Sequence, residues 1–311
     1  MMTYSPLKTL ALLIGLLIQT THVEAATCSA SISDINFGSI SVRAGAVNET
    51  SGTVNVTCSG VVGALIGICI RIGPGGGGAA PSNSPRYMRN SSGGALNYEL
   101  RPIGNSAVNG TWNEVYVNIP VVLGSASANI PVYASITSNS VAVDTGAYTS
   151  VFSGVSDASI TYGLLSCGLL GTEVGIPEFA VSAEVVPSCE LDVTAMDFGS
   201  LQTPIASPVD ETATVNVRCT NATDYSVTLD QGLGGGTGPT DRRMKNGSYE
   251  LSYGLYRDIA RSAPWGSLAS NDVDSTGIGA NQSFTIYGRI PAGQPAYYGT
   301  YTDSVVVTVN Y

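Results

Sequence analysis

The chain has 311 residues, of which 37 are glycine and only 12% are charged, and its formal net charge is −10 at pH 7. This charge argues against nucleic acid or an anionic membrane as a partner, because both attract a basic face. Abundant Gly, Ser, Thr and Val favour short strands and turns over helices. We therefore expect an all-β protein.

Residues 1–25 have the pattern of a secretory signal peptide. Lys8 precedes an apolar run, Thr9–Ile18, and the small-residue ending Val23–Ala25 predicts cleavage after Ala25. The apolar run is too short for a membrane-spanning helix, which needs roughly 20 residues. We expect an exported protein.

The rest of the chain contains an internal repeat. The segment CSASISDINFGSI, Cys28–Ile40, returns as CELDVTAMDFGSL, Cys189–Leu201, and TVNVTC, Thr53–Cys58, returns as TVNVRC, Thr214–Cys219. A repeat of this length indicates two domains built on one plan. The predicted boundaries are 26–170 for the first domain, 171–188 for a linker or donor-like strand, and 189–311 for the second domain.

Six cysteines follow the predicted signal peptide, in a compartment that permits disulfides. Cys28 and Cys58 are as far apart in the sequence as Cys189 and Cys219 are. This equal spacing favours a disulfide within each copy of the repeat. The two remaining cysteines have no counterparts in the second half, so we pair them with each other. The predicted disulfides are Cys28–Cys58, Cys189–Cys219 and Cys69–Cys167.

Short alternating strands separated by turn residues, without helical periodicity, predict a β-sandwich in each half. In the Arg-x-Met motif of the second half, the alternation places Met244 and Tyr253 in the core and leaves Arg243 and Arg257 in solvent. The final strand carries four residues on one face: Val305, Val307, Val309 and Tyr311.

The pattern C…FGS…TVNVxC…RxMxN…YxLYR…W…GxYxDxVxVTVxY resembles the spore coat protein U-like domain, most specifically from Cys189 to Tyr311. Members of that family include subunits of archaic chaperone–usher pili, and a chain with two such domains is similar to the tip adhesin of such a pilus. The resemblance implies two immunoglobulin-like sandwiches, the C-terminal one incomplete and completed by a donor strand. The missing strand leaves an open apolar groove beside unpaired backbone groups, and such a groove favours the addition of a strand from another chain. We expect this groove to be lined by Val305, Val307, Val309 and Tyr311. The implied partners are a periplasmic pilus chaperone, the outer-membrane usher and the next pilus subunit.

The predicted mature chain begins close to its first cysteine. Only Ala26 and Thr27 precede Cys28, whereas a donor strand needs roughly ten alternating residues to span a groove. We therefore expect the chain to accept a strand without giving one, at the end of a fibre. The run Phe179–Val185 has donor-strand periodicity but lies between the domains, and two interpretations stay open. Either it completes the first domain in cis, or it is the first strand of the second domain.

Two loops of the first domain are apolar where the second domain is polar. SGVVGALIG, Ser59–Gly67, stands against TNATDYS, and VYVNIPVVLG, Val115–Gly124, stands against SLASNDVDSTG; Ser140–Asp144 is a weaker third candidate. Clustered apolar loop tips would form a patch for adhesion to abiotic or host surfaces, and the alternative is that they are additional core strands. The predicted patch residues are Val61, Val62, Leu65, Ile66, Ile119, Val121, Val122 and Leu123.

The only histidine, His22, lies in the predicted signal peptide, so no Ser-His-Asp site and no zinc site with histidine ligands is expected. We predict no enzymatic activity and no cofactor. The predicted function is that of a pilus tip subunit that mediates adhesion and biofilm formation. The alternative is a structural shaft or spore-coat-type subunit that binds no ligand.

Overall fold

A computed structural model of the protein describes residues 25–102, 111–138, 141–163 and 171–311. In these ranges the chain forms twenty strands and one short 3-10 turn, Pro81–Asn83. No helix in this part of the chain is long and apolar enough to cross a membrane. The prediction of an all-β fold is confirmed.

The N-terminal unit is a sandwich of two sheets. Its strands are β1 Thr27–Ile32, β2 Ile35–Ile40, β3 Glu49–Ser59, β4 Leu65–Ile72, β5 Arg86–Arg89, β6 Ala95–Arg101, β7 Glu114–Val122, β8 Ser125–Ile136, β9 Gly146–Phe152, β10 Ala158–Tyr162, β11 Thr172–Gly175 and β12 Phe179–Val185. One sheet has the order β11-β10-β4-β7, and the other has the order β2-β12-β9-β5-β6-β8-β3-β1. The β7–β8 hairpin joins the two sheets at one end.

The C-terminal unit repeats this plan with fewer strands. Its strands are β13 Cys189–Val193, β14 Val209–Cys219, β15 Asp224–Leu229, β16 Arg242–Asn246, β17 Tyr249–Tyr256, β18 Val273–Thr276, β19 Gln282–Ile290 and β20 Val307–Asn310. One sheet has the order β13-β14-β19-β17-β16 and the other has the order β18-β15-β20.

Period-two alternation decides which side chains enter each core, because successive residues of a strand point to opposite faces. In β3 the side chains of Val54, Val56 and Cys58 are buried, and the TVNVRC segment of β14 repeats this pattern. Each unit has its own hydrophobic cluster. The repeat in the sequence therefore corresponds to two separate cores.

Disulfides join the first strand of each unit to its neighbour. The bonds Cys28–Cys58 and Cys189–Cys219 are formed between directly paired residues of β1 and β3 and of β13 and β14. Cys69 is also disulfide-bonded. Because Cys167 lies outside the described residues, its pairing with Cys69 stays a prediction, as does the signal peptide, whose residues 1–24 also lie outside them.

A buried arginine holds the same set of loops in both units. Arg86 and Arg242 are each fully buried, and each donates hydrogen bonds to four backbone carbonyl groups, one of them on a buried tryptophan. The carbonyl oxygens belong to Gly73, Ile72, Asn83 and Trp112 for Arg86, and to Asp230, Leu229, Pro239 and Trp265 for Arg242. The alternation in the Arg-x-Met motif correctly places Tyr253 in the core, but it gives no sign of this buried arginine.

The N-terminal unit extends beyond the predicted boundary at residue 170. Strand β11 pairs with β10, and β12 pairs with β9 and β2. All three partners belong to the N-terminal unit, so this unit ends at Val185 and the connection to Cys189 is only three residues long. The segment 171–188 is therefore mostly strand rather than linker.

Candidate functional site

Strand β12 completes the N-terminal sandwich. It lies between β9 and β2, antiparallel to the first and parallel to the second. Its inward side chains, at Phe179, Val181, Ala183 and Val185, are all buried, and the ring of Phe179 stacks on Phe152 with the ring centroids 4.6 Å apart. The pairing agrees with completion of the first domain in cis, and the interpretation of this run as the first strand of the second domain is wrong.

The C-terminal unit is open at the position that β12 occupies in the N-terminal unit. The repeat aligns β2 with residues 196–201 and β9 with residues 299–305, and neither of these segments forms a strand. Among the described residues, β20 pairs with β15 only, whereas its equivalent, β10, pairs with both β4 and β11. The second edge of β20 therefore presents unpaired backbone groups.

Equivalent side chains differ in exposure between the two units. In β1, Ala30 and Ile32 are 8% and 7% exposed, while their equivalents in β13, Leu191 and Val193, are both 40% exposed. Tyr148, Ser150 and Phe152 of β9 are all buried, while Tyr301, Asp303 and Val305 are half-buried. The same inward-facing positions are thus covered in one unit and accessible in the other.

These accessible positions line a continuous groove, which we call the acceptor groove. It comprises two adjoining cavities of about 610 and 530 Å³ that share Met196, Phe198, Met244 and Tyr301 as lining residues. Buried residues form its floor: Ala213, Leu229, Leu251, Tyr253, Leu255, Ile286 and Ile290. The groove therefore offers an apolar floor to the inward side chains of an alternating strand.

The structure places the four predicted groove residues differently from one another. Val305 and Val307 line the acceptor groove. Val309 is half-buried against the core, and Tyr311 is mostly exposed, although its equivalent in the N-terminal unit, Tyr162, is buried. Tyr162 is the residue that pairs with Thr172 of β11, so the exposure of Tyr311 is another consequence of the uncovered edge.

The carboxylate of Asp303 lies in the wall of the acceptor groove. The Asp303 side chain accepts hydrogen bonds from the Tyr253 hydroxyl group at 2.7 Å and from the Gly234 backbone N–H group at 2.9 Å. Burial raises the pKa of Tyr253, and the hydrogen bond to Asp303 raises it further. The prediction from sequence does not include Asp303. The signal that could have identified it is its position between Tyr301 and Val305 on the inward face of the final segment.

A second site lies at the far end of the N-terminal unit. Of the eight residues predicted to form an adhesive patch, Val61, Ile66 and Ile119 are buried and Val121 is half-buried, so these belong to the core. The segment predicted as the second apolar loop is mostly strand β7, which pairs with β4. Four of the predicted residues remain exposed, and we call them the apolar tip: Val62, Leu65, Val122 and Leu123.

Leu123 has an unusual backbone conformation. Leu123 and Gly124 connect β7 to β8 as a two-residue turn with φ angles of 50° and 77°. Such a turn favours Asn-Gly, because both central residues must adopt positive φ, and a bulky side chain at this position is uncommon. The Leu123 side chain is 100% exposed, so packing does not explain the choice of leucine.

Backbone hydrogen bonds hold the components of the apolar tip together. The Val61 N–H group donates to the Gly124 carbonyl group, and the Val121 N–H group donates to the Ala64 carbonyl group, both at 3.0 Å. The loop before β4 is thereby fixed against the β7–β8 turn. The four exposed apolar side chains therefore share one end of the sandwich.

The C-terminal unit contacts the opposite end. Strand β3 runs roughly 33 Å from Glu49 to Ser59 at the apolar tip. Near its start, the Ala44 N–H group donates to Glu190 at 3.0 Å, and Asp144 accepts a hydrogen bond from Asn221 at 2.6 Å. The weaker adhesive candidate, Ser140–Asp144, thus includes residues that contact the second unit.

Two immunoglobulin-like sandwiches, one complete and one with a groove for an added strand, define the class of pilin-like subunits. Residues 16–154 and 177–308 match the family described as the Spore Coat Protein U domain. The chain therefore belongs to this family, in two repeats. Its sequence is also 36% identical over 106 residues to Protein U of Myxococcus xanthus, a match that covers 32% of this chain and 59% of that protein.

The fold resembles that of a solved pilus subunit. The structure is the CsuC–CsuE chaperone–tip adhesion subunit pre-assembly complex from the archaic chaperone–usher Csu pili of Acinetobacter baumannii. The similarity covers 91% of this chain and 100% of the matched chain, with a TM-score of 0.54 and 19% sequence identity. The fold of two immunoglobulin-like domains expected from the sequence is thus found.

Proposed function

We propose that this protein is the adhesive tip subunit of a chaperone–usher pilus. The main observation in support is that the apolar tip and the acceptor groove lie in different units of the protein. The apolar tip lies at the end of the N-terminal unit that faces away from the C-terminal unit, and the acceptor groove lies in the C-terminal unit. A subunit arranged in this way can be attached to a fibre through one unit while the other contacts a surface.

The acceptor groove is proposed to take a strand from another chain. A periplasmic chaperone fills it first, and the next pilus subunit replaces that strand at the outer-membrane usher, after which the protein stands at the cell surface. The completed N-terminal unit supports this proposal, because β12 occupies the equivalent position there with four buried apolar side chains. Burial of a phenylalanine or valine side chain, such as that of Phe179, Val181 or Val185, contributes about 1.5–3 kcal/mol.

The apolar tip is proposed to bind hydrophobic surfaces and so to promote biofilm formation. Burial of apolar surface is non-directional, so a small group of exposed apolar side chains can bind materials of different structure. The presence of leucine at a positive φ angle supports a role for Leu123 outside the fold, since a residue held in a sparsely populated backbone region costs about 1–3 kcal/mol.

Adhesion of pili to polystyrene tests this proposal. We expect the double variant Val62→Asn/Leu123→Asn to bind at least tenfold less than wild type. Asn tolerates positive φ, so the variant should be as stable as wild type or more stable, and the number of pili counted by electron microscopy should not change.

The matched control is Val47→Asn. Val47 is 80% exposed on the opposite end of the N-terminal unit, just before β3, so this variant should adhere like wild type. If the double variant adheres as well as wild type, the apolar tip is not the adhesive surface. If both variants lose adhesion equally, general surface hydrophobicity is responsible instead.

A structural shaft or coat subunit without a ligand is the second candidate, and the family description, Spore Coat Protein U domain, favours a coat role. The two candidates differ in the number of copies per fibre. Immunogold labelling of pili with an antibody to the N-terminal unit should mark one end of the fibre for a tip subunit. Label along the whole length would support the shaft candidate and contradict the tip assignment.

A further inference from the structure

The N-terminal unit docks on the C-terminal unit through a short segment before β9. This docking segment, residues 141–144, forms a parallel bridge between Asp144 and Asn221, and their side chains are hydrogen-bonded at 2.6 Å. Its backbone also approaches Gly279 closely, because a Cβ atom on this glycine would lie 2.6 Å from the Cα atom of Ala142. The contact therefore depends on a small residue in the opposing loop.

The C-terminal unit has an equivalent of the docking segment, residues 294–297. In the N-terminal unit, the Tyr148 hydroxyl group donates to the Asp144 carbonyl group at 3.0 Å. In the C-terminal unit, the equivalent Tyr301 hydroxyl group accepts a hydrogen bond from the Tyr297 N–H group, also at 3.0 Å. Each tyrosine thus holds the residue four positions before it, so Tyr297 takes the place of Asp144.

This equivalent segment carries exposed aromatic side chains. Tyr297 is 56% exposed and Tyr298 is fully exposed. Tyr249, the first residue of β17, stacks on Tyr297 with the ring centroids 4.1 Å apart and is 45% exposed. We call these three residues the tyrosine cluster. Tyrosine is enriched at protein interfaces, where its ring supplies contact area and its hydroxyl group stays hydrated.

The connection after β12 identifies what would cover the tyrosine cluster. Strand β12 ends at Val185, which pairs with Gly146, and after three connecting residues Cys189 begins the first strand of the following unit. A strand in this position therefore brings the body that follows it to the end of the sandwich where the docking segment lies. A donor strand running in the same direction through the acceptor groove would end beside Gly299, next to Tyr298.

We propose that the tyrosine cluster, of which Tyr297 and Tyr298 also line one end of the acceptor groove, is a second docking surface for the body of the next pilus subunit. The occupant is the end of that subunit nearest its first cysteine, equivalent to the Asn221 and Gly279 loops of this chain. The contact limits bending between the tip subunit and the fibre, as the docking segment does between the two units. This inference rests on the proposed function, because it requires a donor strand in the acceptor groove.

Amide hydrogen exchange of the full chain tests the proposal with two probes. One probe is a synthetic peptide with the sequence of the next subunit's N-terminal extension, and the other is that whole subunit, transferred from its chaperone complex. We expect both to protect β20, and only the whole subunit to slow exchange at residues 296–298 at least tenfold. In the variant Tyr249→Ser, which removes the ring that stacks on Tyr297 and does not line the acceptor groove, β20 should still be protected, and the protection of residues 296–298 by the whole subunit should fall.

Negative-stain images of the pair provide a second measurement. The variant Tyr249→Ser should show a wider distribution of angles between the tip subunit and its neighbour, and the control Tyr116→Ser, at an exposed tyrosine of the N-terminal unit, should not. Equal protection of residues 296–298 by peptide and whole subunit, or an unchanged angle distribution, would overturn the proposal. Failure of both probes to protect β20 would instead contradict the proposed role of the acceptor groove.

Discussion

Ser150 and Asp303 occupy the same position in the two units, and each accepts a hydrogen bond from a glycine N–H group of the equivalent loop. Ser150 pairs with Val181 of β12 and is 1% exposed, whereas Asp303 faces the acceptor groove. A strand entering the groove therefore meets a carboxylate where β12 meets a hydroxyl group. The two equivalent positions therefore differ in charge.

Replacement of Asp303 by serine should make the acceptor groove accept the chain's own strand. We expect a labelled peptide of residues 172–186 to bind the Asp303→Ser variant at least about tenfold more tightly than wild type, since a tenfold change corresponds to about 1.4 kcal/mol and burial of a carboxylate is costly. Fluorescence anisotropy measures the affinity. Ser304→Ala, at the adjacent exposed position, is the control and should bind like wild type; equal affinity of all three would show that Asp303 does not select the strand.

A charge on the inward face of β12 should unfold the N-terminal unit. Val181 is fully buried between the sheets, so Val181→Asp places an unpaired carboxylate in the core and should lower the free energy of unfolding by about 3 kcal/mol or more. Thermal denaturation followed by circular dichroism measures the loss. Ser182→Asp, on the outward face of the same strand, should have a much smaller effect. Equal stability of the two variants would mean that β12 does not complete this unit in solution.

The buried arginines should matter far more than their exposed neighbours. Arg242→Met leaves four backbone carbonyl groups without their donor, and each unsatisfied buried group costs about 1–3 kcal/mol. We expect a total loss of about 3 kcal/mol or more in urea denaturation. Arg243→Met removes an ion pair with Glu250 that is open to solvent, and it should cost much less. A similar loss in both variants would argue against a structural role for the buried guanidinium group.

Acid should weaken the contact between the two units. The hydrogen bond from Arg218 holds the pKa of Glu190 below its usual value, and the bond from the Ala44 N–H group lowers it further. Because the pKa in the folded protein is depressed, this stabilisation is present above the unfolded pKa, about 4.3, and is lost as the pH falls through the folded value. The amide NMR shift of Ala44 should therefore titrate below pH 4.3 in wild type. It should not titrate in Glu190→Gln, and a persistent titration in that variant would assign the effect to another group.

Much of the fold can be predicted from the sequence, because a half-buried strand has a local pattern in which apolar residues alternate with polar ones. The alternation of TVNVTC and TVNVRC predicts which side chains enter the core, and the repeat spacing predicts pairs that are disulfide-bonded in the structure. The apolar tip could be predicted only in part. The apolar segments contain both buried residues, such as Val61, Ile66 and Ile119, and exposed valines. The sequence pattern does not show which of these side chains another strand covers.

The sequence by itself determined that two copies of one sandwich follow each other and that a disulfide holds the first strand of each copy. The spacing of the cysteines and the period of the apolar residues are local properties of the chain. Only the tertiary structure decided that Phe179–Val185 belongs to the first copy and that the corresponding positions of the second remain accessible. The physical reason is that an alternating strand fits any groove of suitable width, so its partner depends on which edges the folded chain leaves within reach.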